Sequence, residues 1–194
     1  MKTKLIISGA LIFLTGLTAC KKDSKQPSNI SGGDATVTFT VNGGGFTNKL
    51  ITINGNKEVS DNELVYFPNW DFSKIVISDR SSERENAENE IDIFIEGKST
   101  GSQDFGTKFS NGTGPQEDVN VILTLTKNSQ RSTYASDYAF GHSEGKISVT
   151  KFSDVGDAVE GDFKGALHSQ ETDDIITISS GHFILPRHPD VAEH

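Results

Sequence analysis

The sequence predicts an all-β fold: an antiparallel β-sandwich, with a barrel as the alternative, of about nine or ten strands in a single domain. Three observations predict it. From Ala35 onward apolar residues recur with a period of two. No segment repeats apolar residues at i, i+3 and i+4 over three turns. Gly, Asn and Asp punctuate the alternating runs at spacings suited to short strands. Strands of unequal length joined by long connections suit two stacked sheets better than a barrel.

The elements follow in order. In ATVTFTV (35–41), Val37, Phe39 and Val41 share one face and Thr36, Thr38 and Thr40 the other, which is the pattern of a half-buried strand. Gly43-Gly44-Gly45 breaks it, and LITI (50–53) runs up to Asn54-Gly55, a strong turn dipeptide. ELVYF (63–67) and KIVIS (74–78) flank a loop holding Pro68 and Trp70. IDIFI (91–95) alternates again, and VNVILTLT (119–126) is apolar enough for a central strand. STYASDYAF, GKISV, a long run from Ala158 and IITIS complete the set. Within VEGDFKGAL, Val159, Gly161, Phe163, Gly165 and Leu167 share a face, so a facing aromatic is expected over each glycine. The best helix candidate, SSERENAENE (81–90), has Ala87 as its only apolar residue. With no stripe to bury, it reads as a solvated acidic loop. Residues 99–118 form a long polar, Gly-rich connection of the kind that is often functional or disordered.

The N-terminus reads differently. Lys2 and Lys4 precede an uncharged run over 5–17, which is the length of a signal-peptide core and shorter than the roughly 20 residues a bilayer span needs. Leu17-Thr18-Ala19-Cys20 resembles a bacterial lipobox, in which Cys20 is lipidated and becomes the first residue. Leu17 at the minus-three position is a poor fit to an ordinary A-x-A cleavage site. Cys20 is the only cysteine, so it cannot close an internal disulfide, and lipidation would remove an otherwise exposed thiol. One acyl chain anchors only marginally, whereas the several chains of a bacterial lipoprotein hold firmly. Residues 21–34 then form a flexible tether with an end-to-end distance on the order of 20 Å. Lys22-Asp23 partly resembles the charged tag after the cysteine in surface-exported lipoproteins of Bacteroidetes.

The expected organisation is therefore a signal over 1–19, lipidated Cys20 and tether over 20–34, the sandwich over 35–187 and a tail over 188–194. Cleavage would remove Lys2 and Lys4 and no acid, making the net charge of −9 more negative still. So acidic a body disfavours nucleic acid as a partner and leaves membrane attachment to the lipid.

GKISVTKFSDVGDAVEGDFKGAL followed by ITISSGHFILPR resembles the C-terminal hairpins of uncharacterised Bacteroidetes lipoproteins that pair a lipobox with a β-rich domain. The resemblance implies an outer-membrane lipoprotein on the periplasmic or surface-exposed face. It carries no catalytic residues and no known activity.

Candidate chemistry is sparse. His182, His188 and His194, with Asp190 and Glu193, recur near the C-terminus, but Pro186 and Pro189 forbid the helical spacing of a zinc site. They read as a frayed, solvated tail. The acidic stretch over 79–92 lacks the spacing of a calcium loop, and 168–174 reads as a hairpin turn. No metal or cofactor is expected. Ser143 follows His142 with Asp137 near in sequence, yet adjacent strand residues face opposite ways, and there is no G-x-S-x-G elbow.

The candidate ligand-binding residues are aromatic. Tyr66, Trp70 and Phe72 cluster with Phe67 around Pro68-Asn69, a composition suited to stacking on a sugar; the structural alternative is that Trp70 plugs the end of the sandwich. Tyr134 and Tyr138 are spaced to share one face of a strand. The expected function is that of a non-catalytic, envelope-anchored lipoprotein with a binding or structural role. A glycan or an envelope protein is its expected partner, besides the membrane held through Cys20. The alternatives are a glycan-binding surface lipoprotein using the Trp70 loop and a hydrolase whose site is not legible.

Overall fold

The computed structural model describes residues 35–55, 62–79, 89–110, 118–138 and 141–191. Cys20, the signal, the tether and most of the acidic loop lie outside the described residues.

Among those described there is no α-helix; the strands are β1 (Thr36–Gly43), β2 (Phe46–Asn54), β3 (Glu63–Phe67), β4 (Phe72–Ser78), β5 (Glu90–Glu96), β6 (Gly101–Asp104), β7 (Asn120–Lys127), β8 (Gln130–Ala135), β9 (Asp137–Tyr138), β10 (Gly141–His142), β11 (Gly145–Phe152), β12 (Ala158–Ser169) and β13 (Ile175–Pro186). Eleven form one antiparallel sheet in the order β2-β1-β13-β12-β8-β7-β5-β4-β3, with β11 and β6 continuing from β12; β9 and β10 pair separately. The sheet folds over itself rather than closing into a barrel. One layer is β2-β1-β13-β12-β11-β6 and the other β8-β7-β5-β4-β3. They join at a narrow corner, where β12 meets β8 through only His168↔Ala135 and Ser169↔Tyr134. The expected all-β sandwich is thus what the chain forms.

The two layers fill the core differently. In the second, Ile75, Ile77, Ile91, Ile93, Val121 and Leu123 are fully buried, and Ile75↔Ile93 and Ile91↔Leu123 meet as cross-strand partners. In the first, Gly161 lies opposite Phe183 and Phe163 opposite Gly181 in the β12–β13 register. Each ring lies over the partner glycine, so a side chain at Gly161 would meet Phe183, and its Cβ would also stand 2.6 Å from the Ser148 carbonyl oxygen. Phe105 covers Gly145 and Gly165, which are themselves partners. The alternation in VEGDFKGAL therefore does what its pattern predicts.

Two segments depart from expectation. Within the long connection, GSQD forms β6 against β11, although it contains no residue of high strand propensity. It is held by a 2.6 Å Ser102–Ser148 hydroxyl bond and by the Gln103 amide, which accepts from Glu96 N–H and donates to Glu96 carbonyl. Residues 111–117 of that connection lie outside the described residues.

The C-terminal stretch 188–191 is not frayed. Arg187 bridges Leu64 in parallel, and His188 and Val191 donate their N–H groups to the Leu64 and Tyr66 carbonyls, each at 3.0 Å. Side chains reinforce the docking: His188 Nδ1 stands 2.8 Å from Glu63, and Asp190 accepts from Arg187 at 2.5 Å and Lys98 at 3.3 Å. Burial alone would raise the Asp190 pKa, but the hydrogen bonds from Arg187 and Lys98 outweigh it and hold the carboxyl below its ordinary value. Among the described residues β3 otherwise has one edge without a partner strand, and this stretch covers it. Of the three histidines, His182 lies within β13, and His194, with Glu193, lies outside the described residues.

Candidate functional site

The Trp70 loop is an aromatic stack. Pro68–Trp70 form a single 3₁₀ turn, and Asp71 follows in the left-handed region at φ 49°. Phe72 packs nearly parallel to both Trp70 (ring centroids 6.0 Å) and Phe109 (5.7 Å), with Phe67 at 4.8 Å. Both faces of Phe72 are thereby occupied and the residue is buried, so it has no ring face for a ligand. Tyr66 is also buried; its hydroxyl donates to Asp71 Oδ1 at 2.7 Å, and Lys98 Nζ lies 4.5 Å from its ring. Trp70 is half-buried against the core and ends the stack. Of the three expected residues in this loop, two are packing groups, and the third is docked on one of them. The sequence could not show this, because Phe109 arrives from a segment forty residues downstream.

Tyr134 and Tyr138 do not share a strand. Tyr134 is in β8 and Tyr138 in β9, whose partner is β10. Ser136 sits at the break, beyond the end of β8 and beside the start of β7: its N–H still donates to the Val121 carbonyl at 2.9 Å, while its hydroxyl accepts from Val121 N–H at 2.9 Å and donates to Asn120 Oδ1 at 2.7 Å. The side chain of Tyr138 lies outside the described residues.

Tyr134 instead lines a pocket of about 270 Å³ at the opposite end of the β3–β8 layer from Trp70. Phe72 pairs with Glu96 at the Trp70 end, whereas Glu90 pairs with Thr124 close to the β7–β8 turn that borders the pocket. Three turns build it: β1–β2 with Gly44, β7–β8 with Asn128, and β12–β13 with Thr172 and Asp174. Its floor includes Phe46 and Leu125. Asn128 and Ser129, at φ 51° and 63°, make the double left-handed turn whose twist suits a two-residue hairpin.

The walls of this pocket are braced to one another. Lys127 Nζ donates to the Gly45 carbonyl at 2.5 Å and lies 5.1 Å from the Phe46 ring, tying the first turn to the second. Gln170 N–H donates to the Thr133 carbonyl at 2.9 Å and Thr133 N–H to Glu171 at 3.2 Å, tying the third turn to β8. Ser169 Oγ accepts the N–H groups of Glu171 and Thr172, and Thr172 Oγ1 that of Asp174. The expected hairpin turn over 168–174 is therefore present and rigidly built. At the pocket wall, burial raises the Tyr134 pKa, nearby Asp174 and Glu171 raise it further, and a hydrogen bond with Ser132 opposes them. The phenol stays protonated across the physiological range. A Cβ at Gly44 would stand 2.6 Å from the Tyr134 hydroxyl, so only glycine leaves room beside this largely buried side chain.

A third feature crosses the outer face of the first layer. Register places Thr52, Thr38, His182, Asp162, Ser148 and Ser102 side by side on six successive strands. His182 Nδ1 is 3.0 Å from Asp162 Oδ1, and Thr38 and Thr52 are bonded at 3.3 Å. The row holds a serine, a histidine and an aspartate, but the carboxylate stands between the other two. A serine nucleophile needs the imidazole beside it and the acid beyond, so this order does not make a triad. No group of three metal-ligating side chains is found among the described residues.

Sequence reasoning singled out Tyr134 but missed Gly44, Lys127, Ser132 and Asp174. The only available signal was that all fall in or beside turns. Nothing local says that three turns separated by some eighty and forty residues meet. No family model, no curated protein and no solved structure matches the chain.

Proposed function

We propose that this chain is a non-catalytic lipoprotein of the bacterial cell envelope, lipidated at Cys20, whose β-sandwich serves as a binding module on the outer membrane. The observation that carries the reading is the ordered run of Lys2 and Lys4, an uncharged core, Leu17-Thr18-Ala19 and the chain's only cysteine. The architecture is compatible with it. Ala35, where the tether meets the domain, is at the end of β1 away from Gly44. An anchored domain would hold the three-turn pocket about 25 Å from its attachment point, at roughly 3.3 Å per strand residue. The binding role is favoured over hydrolysis because the serine–aspartate–histidine row has the wrong order, while the pocket has braced walls and a mixed polar and apolar lining.

The test is Cys20→Ala in a bacterium with the lipoprotein pathway, followed by membrane fractionation and labelling with a radioactive fatty acid. The variant should leave the membrane fraction and lose the label. A variant that still fractionates with membrane and carries the label would refute the anchor.

A further inference from the structure

We propose that the three-turn pocket binds one neutral polyhydroxylated ring, a single sugar unit. The proposal rests on reading the domain as a binding module and is independent of the lipid anchor.

Size comes first. Pockets for drug-sized ligands run to roughly 300–1,000 Å³, and this one, at about 270 Å³, accommodates one ring rather than a chain. The lining then sets the chemistry. Tyr134, Ser132 and Thr172 present hydroxyls, Gln130 and Asn128 amides, and Asp174 a carboxylate. Together these offer donors and acceptors of both kinds around a small volume, which is what a ring bearing several hydroxyls requires. Leu125 and Phe46, both largely buried, make the apolar base of the pocket beneath the polar rim.

Charge separates this class from its competitors. Lys127 and Asp174 both line the pocket, so neither sign dominates. The Lys127 ammonium spends one of its three N–H donors on the Gly45 carbonyl and shares the pocket with the Asp174 carboxylate, which repels an anion. A cationic ligand would want a free aromatic face, but Lys49 at 5.4 Å and Lys127 at 5.1 Å already occupy the Phe46 ring. Tyr134, kept protonated by its surroundings, remains a donor to a ligand oxygen. The bracing of all three turns means that little ordering is required on binding.

The experiment is saturation-transfer NMR on the full chain in detergent micelles. The probes are D-glucose, D-galactose, D-mannose, L-rhamnose and N-acetyl-D-glucosamine at millimolar concentration, with glycine and L-lysine as non-sugar probes. At least one sugar should receive saturation, with a Kd in the millimolar range. Tyr134→Phe should weaken it about tenfold, as expected for loss of one buried hydrogen bond, and Asp174→Asn, at the exposed rim, about threefold. Thermal melts of both variants confirm that they are folded, and Trp70→Ala should leave the signal in place.

Saturation of no sugar would overturn the proposal, as would saturation of the amino acids alone. Loss of the signal in Trp70→Ala with retention in both pocket variants would also overturn it, by moving the site to the aromatic stack. The Cys20→Ala chain should bind sugar equally well, so failure of the anchor and failure of the pocket give different results.

Discussion

The two layers of the sandwich share an inner-face period of two but reach close packing by opposite means. In β4, β5 and β7 every strand supplies its own volume, with Ile, Val or Leu at every inward position except Ser73. In β12 and β13 volume is lent across the ladder, Phe183 lying over Gly161 and Phe163 over Gly181. The difference matters for register. A slip of two residues in the aliphatic layer would still set branched aliphatics against one another. The same slip between β12 and β13 would set ring against ring and glycine against glycine, giving a clash beside a void. Phe–Gly alternation therefore fixes register through shape. The aliphatic layer fixes it through buried polar bonds, such as Asn62 Oδ1 accepting from Ser78 N–H at 2.7 Å and Ser73 Oγ donating to the Gly97 carbonyl at 2.6 Å.

The aliphatic layer should be the more sensitive to loss of volume. Ile93 is fully buried, with Ile75 and Val121 as its cross-strand partners. Ile93→Ala should cost about 2–5 kcal/mol of unfolding free energy, through lost transfer energy and the cavity left behind. Chemical denaturation would measure it as a fall in midpoint at unchanged slope. A cost below about 1 kcal/mol would mean that the layer collapses around the gap and is not packed as described.

The glycine layer should fail in the other direction. Gly161→Ala adds one methyl against Phe183 and the Ser148 backbone, and backbone cannot swing aside as a side-chain tip would. About 1–3 kcal/mol of destabilisation is expected from overpacking. In an exposed strand the same change would stabilise slightly by restricting the unfolded chain, so the sign alone decides the matter. A stabilised Gly161→Ala variant would show that the rings do not cover the glycines.

The same contrast explains what could be read in advance. Alternating strands are legible because burial of one face imposes a local period, and the Phe–Gly device is legible because both members recur within VEGDFKGAL. β6 was not legible, since GSQD becomes a strand only because β11 offers it an edge. The docking of 188–191 depends likewise on an edge of β3 that sequence does not reveal. The aromatic cluster was visible as composition, but its meaning turned on Phe109. Tyr134 stands out in the sequence only for its spacing to Tyr138, which the break at Ser136 makes irrelevant; its place in the pocket comes from turns elsewhere in the chain. Local periodicity survives in sequence, whereas convergence of distant turns does not.

The smallest effect is expected at the seam between the layers, where residues 187–191 leave β13 and run beside β3. Asp190 is the fastener, bonded to both Arg187 and Lys98. Because its folded-state pKa is depressed, its contribution is present above the ordinary carboxylate pKa and is lost as pH falls through the lower folded value. Asp190→Asn should remove that pH dependence at a cost below about 1 kcal/mol, the usual scale for partly exposed ion pairs. Global melting is too coarse to resolve this, so amide hydrogen exchange is the measurement. The amides of His188 and Val191, which donate across the seam, should exchange faster in the variant at neutral pH. The β12 and β13 amides should not change, since Phe–Gly packing holds those strands without the seam. Equal acceleration throughout both layers would mean that the tail supports the whole sandwich, and the two packing modes would no longer be separable.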